Sequence, residues 1–161
     1  GNHHSSFKYA RANLYHGAPM VIVPPTFDDI LLLDRVKQLL APAEFGRISV
    51  TTAEKHDEMI AFLSQLTHCI AVVLMNCNDS EGLEKYTGDS FRDLTRIAKI
   101  NDRMWSELFL MNKDALLREM DRFIEEFTEF RTYLANEDGK RMREKMRASA
   151  QRRTLFDKIV K

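Results

Sequence analysis

The chain has 161 residues, with 24 basic and 24 acidic side chains, so it has no formal net charge. That length is typical of one domain or of a small domain joined to a piece of another, and a hydrophobic fraction of 44% is enough for a core. The balanced charge argues against a general nucleic-acid or membrane-surface binder, and we also expect no membrane-spanning segment.

The first 52 residues show the pattern of an α/β fold. "FKYARANLYHG" predicts a short helix ending at Gly17, and the apolar run "PMVIVPP" predicts a strand. "DDILLLDRVKQLLAPAEFG" predicts an amphipathic helix that begins at an acidic cap and ends before Pro42, and "GRISVTT" predicts a second strand. Two strands do not make a stable parallel sheet alone, so we predict that this segment belongs to a larger α/β domain.

The rest of the chain is predicted to be helical, with no strand. Five segments have a helical pattern. The first three begin at the capping signals Thr52, Asp89 or Ser90, and Asn101 or Asp102, and Gly139 marks a turn before the last. The predicted fold class is therefore mainly α, with an all-helical domain over residues 53–161 preceded by a small α/β piece over residues 1–52.

The first of these helices, "EKHDEMIAFLSQLTHCIAVVLMN", is apolar nearly all round. At 100° per residue, Asp57, Ser64 and His68 form a polar seam along one side, while His56 points about 120° away from His68. Buried polar groups need hydrogen-bond partners, which come either from the protein or from a bound ligand. On periodicity alone, a satisfied core histidine with a surface aspartate is favoured over a substrate site.

Further along the chain, a basic stripe and one tryptophan stand out. Arg92, Arg96, Lys99 and Arg103 recur at helical spacing, which favours a solvated face on pattern alone; the alternative is an anion site, because an arginine fork matches a carboxylate. Trp105 is the single tryptophan, and its favoured interpretation is a packed core or interface residue.

Metal binding has little support in the sequence. Cys69 and Cys77 are eight residues apart, and no CxxC or Cys/His zinc spacing occurs. The adjacent His3 and His4 do not converge on one metal ion in regular structure. We therefore predict no metal site and a reduced, cytoplasmic protein.

Several motifs in order resemble the prephenate dehydrogenase family. "RISVTTAEKHDEMIAFLSQLTHCIAVVLMN", followed by "GDSFRDLTRIAKINDRMWSELFLMNK", resembles the C-terminal part of that family. The family patterns EHD, SxLxH, FRDxTRIA and MWxDIFxxN read here as KHD, SQLTH, FRDLTRIA and MWSELF. The front end, "GNHHSSFKYARANLYHGAPMVIVPP", is similar to the segment after the family's His-Pro-Met/Leu motif, although the family's SG reads Ser5-Ser6. The resemblance covers nearly the whole chain.

The resemblance implies an oxidative decarboxylation in tyrosine biosynthesis. Prephenate would lose a hydride to NAD or NADP and carbon dioxide to solution, giving 4-hydroxyphenylpyruvate; arogenate is the alternative substrate and tyrosine a possible feedback inhibitor. Residues 1–52 would be the C-terminal end of a Rossmann-type nucleotide-binding domain. Residues 53–161 would bind substrate and form a homodimer.

By matching motif, the resemblance also assigns substrate-binding residues, which are His68, Arg96, Ser64, Arg92, His56, Asp57 and Trp105. Arg96 would bind a substrate carboxylate, with Arg92 as the second candidate, while His68 and Ser64 would line the pocket. The residues of the KHD motif would lie at the domain junction, near the substrate or a partner subunit. The tryptophan would pack at the site or at the dimer interface.

No catalytic residue is assigned within these 161 residues. The resemblance places the catalytic histidine and the glycine-rich nucleotide fingerprint upstream of Gly1, and none of the six glycines has the GxGxxG spacing. We therefore expect no activity from these residues alone. The alternative from a different functional class is a helical interaction module without a substrate site.

Overall fold

The structure, a computed structural model, describes residues 7–26 and 30–157 and divides into two compact units, residues 1–60 and 61–161. The predicted acidic cap of the first long helix (Asp28, Asp29), the histidine pair His3 and His4, and Ser5-Ser6 lie outside the described residues. The predicted boundary between residues 52 and 53 stays a prediction.

The first unit contains a two-stranded parallel sheet. Its elements are β1 (Pro19–Ile22), α1 (Ile30–Leu40), β2 (Arg47–Val50) and α2 (Ala53–Ile60). The register runs from Pro19 opposite Arg47 to Ile22 opposite Val50. Both predicted strands are therefore confirmed, and α1 ends before Pro42 as predicted, because a 3-10 turn (Ala41–Ala43) follows it.

The predicted helix ending at Gly17 is wrong. Only a 3-10 turn, Phe7–Tyr9, forms there, and the hydrogen bonds that follow span three residues rather than four, as in Leu14 N–H to the Arg11 carbonyl at 3.2 Å. Gly17 adopts φ +70° and donates its N–H to the Glu44 carbonyl at 2.9 Å. The segment is thus a series of turns that leads directly into β1.

Little of the first unit is buried. Among its described residues, only Ile22 and Pro24 are buried, and Ile30, Leu31 and Leu39 of α1 are each more than 70% exposed. Two strands and one crossover helix offer too little surface to cover these side chains. That residues 1–52 belong to a larger α/β domain stays a prediction.

Within its described residues the second unit contains helices and loops but no strand, which confirms the predicted fold class. Its elements are a π-helical segment (Ala61–Leu66), α3 (Thr67–Asn76), α4 (Asp89–Thr95), α5 (Asp102–Met111), α6 (Lys113–Ala135) and α7 (Gly139–Arg153). The predicted cap of α5 is also confirmed, because Asn101 Oδ1 accepts a hydrogen bond from the Met104 N–H at 3.0 Å.

Two predicted helix starts need correction. Helix α4 is capped by Gly88 rather than by Asp89 or Ser90, and no side chain caps it. Gly139 is the first residue of α7, where Asp138 caps the helix by accepting from the Arg141 N–H at 3.0 Å. The turn before α7 is made instead by Glu137, which adopts the left-handed conformation at φ +54°.

The core of the second unit lies where α6 packs on the π segment. Its buried apolar residues are Ala61, Leu66, Ala71, Ala115 and Leu116. Three of them are alanines, so the helices approach closely at this point. The far part of α6 is different, because its apolar residues from Phe123 onward are largely exposed.

The helical stretch Ala53–Asn76 corrects the expectation that no run reaches the length of a membrane span. It has 24 residues and a mean hydropathy of 1.7 over its most apolar window, enough to cross a bilayer by length and composition. The central helix of a soluble domain meets the same criterion. In the second unit this stretch buries Ala61, Leu66 and Ala71 against other protein elements.

Candidate functional site

The candidate site is built on His68 of α3 and Trp105 of α5. Their rings are stacked, with centroids 3.8 Å apart and planes inclined by 28°. Both side chains are half-buried, and Phe109, one turn further along α5, tilts against the indole at 5.5 Å. The pair therefore presents a flat apolar ring beside an ionisable one.

The π segment holds the imidazole in place. His68 Nδ1 lies 2.8 Å from the backbone carbonyl of Ser64, and the Thr67 hydroxyl donates to the same carbonyl at 2.7 Å. A carbonyl oxygen only accepts, so Nδ1 carries the hydrogen, and Nε2 of the neutral ring is the acceptor. The structure thus connects His68 to Ser64 through the Ser64 carbonyl, while the predicted role of Ser64 in lining a pocket stays a prediction.

The predicted polar seam from Asp57 to His68 assumed an uninterrupted α-helix. Residues 61–66 are π-helical, with hydrogen bonds that span five residues, so the 100° spacing does not hold through them. His56 and Asp57 belong to the first unit, where His56 Nδ1 lies 3.0 Å from Asp57 Oδ1. Their placement near a substrate stays a prediction.

The predicted basic stripe is not one face of one helix. Helix α4 ends at Thr95, and Arg96 begins a 3-10 turn, Arg96–Ala98, that packs against α3. Arg92 instead folds back on the loop before α4 and donates to the Thr87 carbonyl at 3.1 Å. Arg103 lies on α5, 3.6 Å from the Glu107 carboxylate. Both Arg92, on α4, and Arg96, on the turn, are therefore carried by segments that pack on α3, the helix of His68.

Sequence reasoning missed a buried amide, Gln65, in the π segment. Its side chain is 4% exposed, and its Nε2 donates to the Leu108 carbonyl at 3.0 Å. Asn112, which follows α5, donates from Nδ2 to Gln65 Oε1 at 2.9 Å. The available signal was an amide at an inner position of an apolar helix, since such a group needs partners.

Cys69 does not have the environment of a reactive thiol. Cys69 is half-buried, and burial raises the pKa of its thiol, which keeps the group protonated at neutral pH. Among residues 7–26 and 30–157, no three His, Cys, Asp or Glu side chains are grouped to hold a metal ion.

A second polar cluster joins α6 to α7. Lys145 Nζ forms ion pairs with Glu126, at 2.7 Å, and with Glu129, and the Tyr133 hydroxyl donates to Glu129. The hydrogen bond from Lys145 lowers the pKa of Glu129, while Glu126 and then Glu129 raise the pKa of Lys145. The Arg141 guanidinium lies over the Tyr133 ring, 5.7 Å from its centroid.

Beside this cluster, α6 and α7 form an open groove of about 770 Å³. Its lining is mainly apolar and includes Phe123, Phe127, Phe130, Met146, Ala148 and Ala150. Phe123 and Phe127 stack with centroids 6.1 Å apart, and Phe127 is 65% exposed. An exposed apolar surface of this kind marks an interaction site.

Residues 52–148 match the family model described as "Prephenate dehydrogenase, dimerization domain". The chain belongs to the prephenate dehydrogenase family. The matched segment covers most of the chain and contains the π segment, the stacked rings and the whole of α6.

Two curated relatives agree with this assignment. The chain is similar to prephenate dehydrogenase of Bacillus subtilis, with 29% identity over 147 residues that cover 88% of this chain. It is also similar to cyclohexadienyl dehydrogenase of Zymomonas mobilis, with 37% identity over 116 residues and 67% of this chain. In both comparisons the chain spans 39% of the relative's length.

Two solved structures share the fold. Prephenate dehydrogenase from A. aeolicus, in complex with hydroxyphenyl propionate and NAD+, superposes with a TM-score of 0.84 at 27% identity, covering 98% of this chain and 56% of that one. Synechocystis arogenate dehydrogenase gives a TM-score of 0.85 at 20% identity, covering 98% and 59%, and supports the fold alone.

Proposed function

We propose that this chain supplies the substrate-binding and dimerisation part of a prephenate dehydrogenase, which converts prephenate to 4-hydroxyphenylpyruvate by NAD(P)-dependent oxidative decarboxylation. Residues 53–161 would be that part, and residues 1–52 the end of the nucleotide-binding domain. The observation that carries the proposal is the stack of His68 on Trp105. It lies inside the segment that matches the family model.

The stack suits a ring-shaped substrate with polar substituents. The indole of Trp105 offers a flat apolar surface to a six-membered ring. Because Nδ1 of His68 donates to the Ser64 carbonyl, Nε2 is the nitrogen that accepts from a substrate hydroxyl. Arg96, on the turn packed against α3, is the proposed partner of a substrate carboxylate, with Arg92 second because it already donates to Thr87.

The nicotinamide nucleotide is proposed to bind mainly through residues other than these 161. A Rossmann-type site needs a glycine-rich turn between a strand and its helix. Here β1 is followed by Val23, Pro24 and Pro25, and no glycine pair in the chain has the required spacing. The residues present do not fit the nucleotide, so we assign them substrate binding and no part of hydride transfer. We expect no turnover by this chain alone.

We further propose a soluble, cytoplasmic homodimer. The exposed apolar side chains of α6 and α7 include Phe123, Ile124, Phe127, Leu134 and Met146. A second copy of this chain is the proposed occupant of this face, because it lies within the segment described as a dimerization domain. Burying such residues against a partner would stabilise the dimer.

Ligand-dependent thermal stability tests the substrate site. A ligand that binds only the folded protein stabilises it by about 2.7 kcal/mol at a hundred times its Kd. We expect prephenate to raise the melting temperature of the chain and Arg96→Ala to abolish that rise. Arg103→Ala, which removes the same charge from an exposed position on α5, is the matched control and should keep the rise in melting temperature.

Parallel measurements with arogenate and tyrosine separate the alternatives. A larger shift with arogenate would make arogenate the preferred substrate, and a shift with tyrosine that Arg96→Ala removes would indicate feedback binding at the same site. If none of the three ligands shifted the melting temperature, the helical module without a substrate site would be the better description.

A further inference from the structure

We propose that Gln65 is a positioning residue, which sets the stacking of His68 on Trp105 by tying the π segment to the C-terminal end of α5. The ring geometry can be measured without any ligand. The consequence for substrate binding rests on the function proposed above.

Both ends of the Gln65 amide are used, and their orientation is fixed by chemistry. The Leu108 carbonyl only accepts, so Nε2 must face it, at 3.0 Å. Oε1 is then left to accept from Asn112 Nδ2, at 2.9 Å. The Leu108 carbonyl also accepts from the Asn112 N–H at 3.3 Å. Gln65 therefore joins the last turn of α5 and the residue between α5 and α6.

The same π segment controls the other ring of the stack. Ser64, the neighbour of Gln65, offers the carbonyl that holds His68 Nδ1. Leu108 lies three residues after Trp105 on α5, so the bond from Gln65 acts one turn from the indole. One short segment thus fixes the imidazole through its backbone and the indole's helix through its side chain.

The π conformation of residues 61–66 supports a role of this segment in positioning the two rings. π-helical turns are rare and occur mostly as single insertions, often at functional sites. A purely stabilising role predicts something different, because removing one partner of a buried hydrogen bond would then lower the stability without changing the geometry of the ring stack. A change in ring geometry without loss of the fold therefore separates positioning from stabilisation.

The test is the ring-current shift of His68 in Gln65→Met. The carbon-bound imidazole protons of His68 lie over the indole, so their NMR resonances are displaced upfield, and Trp105→Leu defines the position without the stack. We expect Gln65→Met, which has similar length and no amide, to move these resonances most of the way to that position. A folded Gln65→Met protein with wild-type His68 resonances would overturn the proposal.

Two further variants keep the test decisive. Tyr133→Phe, which removes the hydrogen bond that the Tyr133 hydroxyl donates to Glu129 within α6, should leave the His68 resonances unchanged. Should Gln65→Met fail to fold, Asn112→Ala decides the matter. It removes one of the two bonds of Gln65, so it should move the resonances part of the way, and no movement would contradict the proposal.

A ligand titration then separates this proposal from the function it rests on. Hydroxyphenyl propionate, the compound in the A. aeolicus complex, is the probe. We expect Gln65→Met to bind it several-fold more weakly than the wild-type chain. If the wild-type chain did not bind it at all, the proposed function would be in question, whereas the resonance shift would still decide the role of Gln65.

Discussion

His68 and Trp105 join α3 to α5 through a ring stack with centroids 3.8 Å apart. His68 Nδ1 donates a hydrogen bond to the Ser64 carbonyl, at 2.8 Å. Stacked aromatic pairs contribute beyond the area they bury, and double-mutant cycles isolate that contribution. The energetic coupling of this pair is therefore measurable in the folded chain without any ligand.

We predict a coupling free energy of about 0.5–1.5 kcal/mol between His68→Ala and Trp105→Leu, measured by urea unfolding of the single and double variants. A cycle between His68→Ala and Phe123→Leu is the control, because Phe123 stacks on Phe127 rather than on His68. Equal coupling in the two cycles would show that the His68–Trp105 stack adds nothing specific.

The cluster between α6 and α7 makes stability depend on pH at both ends of the range. The pKa of Glu129 is lowered in the folded protein, chiefly by its hydrogen bond from Lys145. Its contribution is therefore present above its unfolded pKa of about 4.3 and is lost as pH falls through the folded value. The pKa of Lys145 is raised, first by Glu126, so its contribution is lost as pH rises above about 10.4.

We predict that Glu129→Gln lowers the urea midpoint at about pH 6 and that the difference from the wild type shrinks toward about pH 3. Glu125→Gln, which removes the same kind of charge from the same helix, is the control variant. Because the cluster is exposed, the difference should also decrease with added salt. A difference that grew as the solution was acidified would contradict the assigned direction of the pKa shift.

The sequence alone was sufficient to predict features that depend on residues close together in the chain. The β-branched run before Pro24 and Pro25 identified β1, and Asn101 was recognisable as a helix cap because its side chain bonds three residues ahead. Helix ends were less certain. The short α4 is capped by Gly88, without a side-chain hydrogen bond, although the capping residue types Asp89 and Ser90 follow it.

The features that build the candidate site depend on distant residues or on unusual backbone geometry. The partners of Gln65 lie 43 and 47 residues away, so no local pattern could reveal them. The π turn over residues 61–66 has no composition signal, and it interrupts the angular spacing from which the polar seam was inferred. The prediction of a continuous basic stripe was wrong because α4 ends at Thr95 and Arg96 lies on a separate turn.

Substitution by alanine should affect the stability of the chain differently at Gly46 and at Gly139. A Cβ on Gly46 would lie 2.7 Å from the Gly17 carbonyl oxygen, so Gly46→Ala must shift the backbone at the entrance to β2. Gly139 lies in the first turn of α7, where a Cβ would meet only the flexible end of Arg143 at 3.2 Å. Alanine is favoured over glycine in a helix by about 1 kcal/mol.

We therefore predict that Gly46→Ala destabilises the chain and that Gly139→Ala leaves its stability unchanged or raises it by up to about 1 kcal/mol. Urea unfolding of the two variants provides the comparison. A loss of stability in Gly139→Ala equal to that in Gly46→Ala would favour the earlier interpretation of Gly139 as a turn glycine.

The apolar face of α6 gives the most direct prediction about assembly. Phe127 is 65% exposed and lines the groove beside α7, so a second copy of the chain is proposed to bury it. Placing a carboxylate at the centre of such an interface leaves an uncompensated buried charge, which costs several kcal/mol. Phe127→Glu should therefore convert the dimer to a monomer of about the chain's own 18.7 kDa in sedimentation equilibrium.

The control is Thr128→Glu, which adds the same charge one residue further along α6. Its side chain points about 100° away from that of Phe127, so this variant should leave the dimer intact. A dimer that survived Phe127→Glu would place the interface on another face of the helical unit.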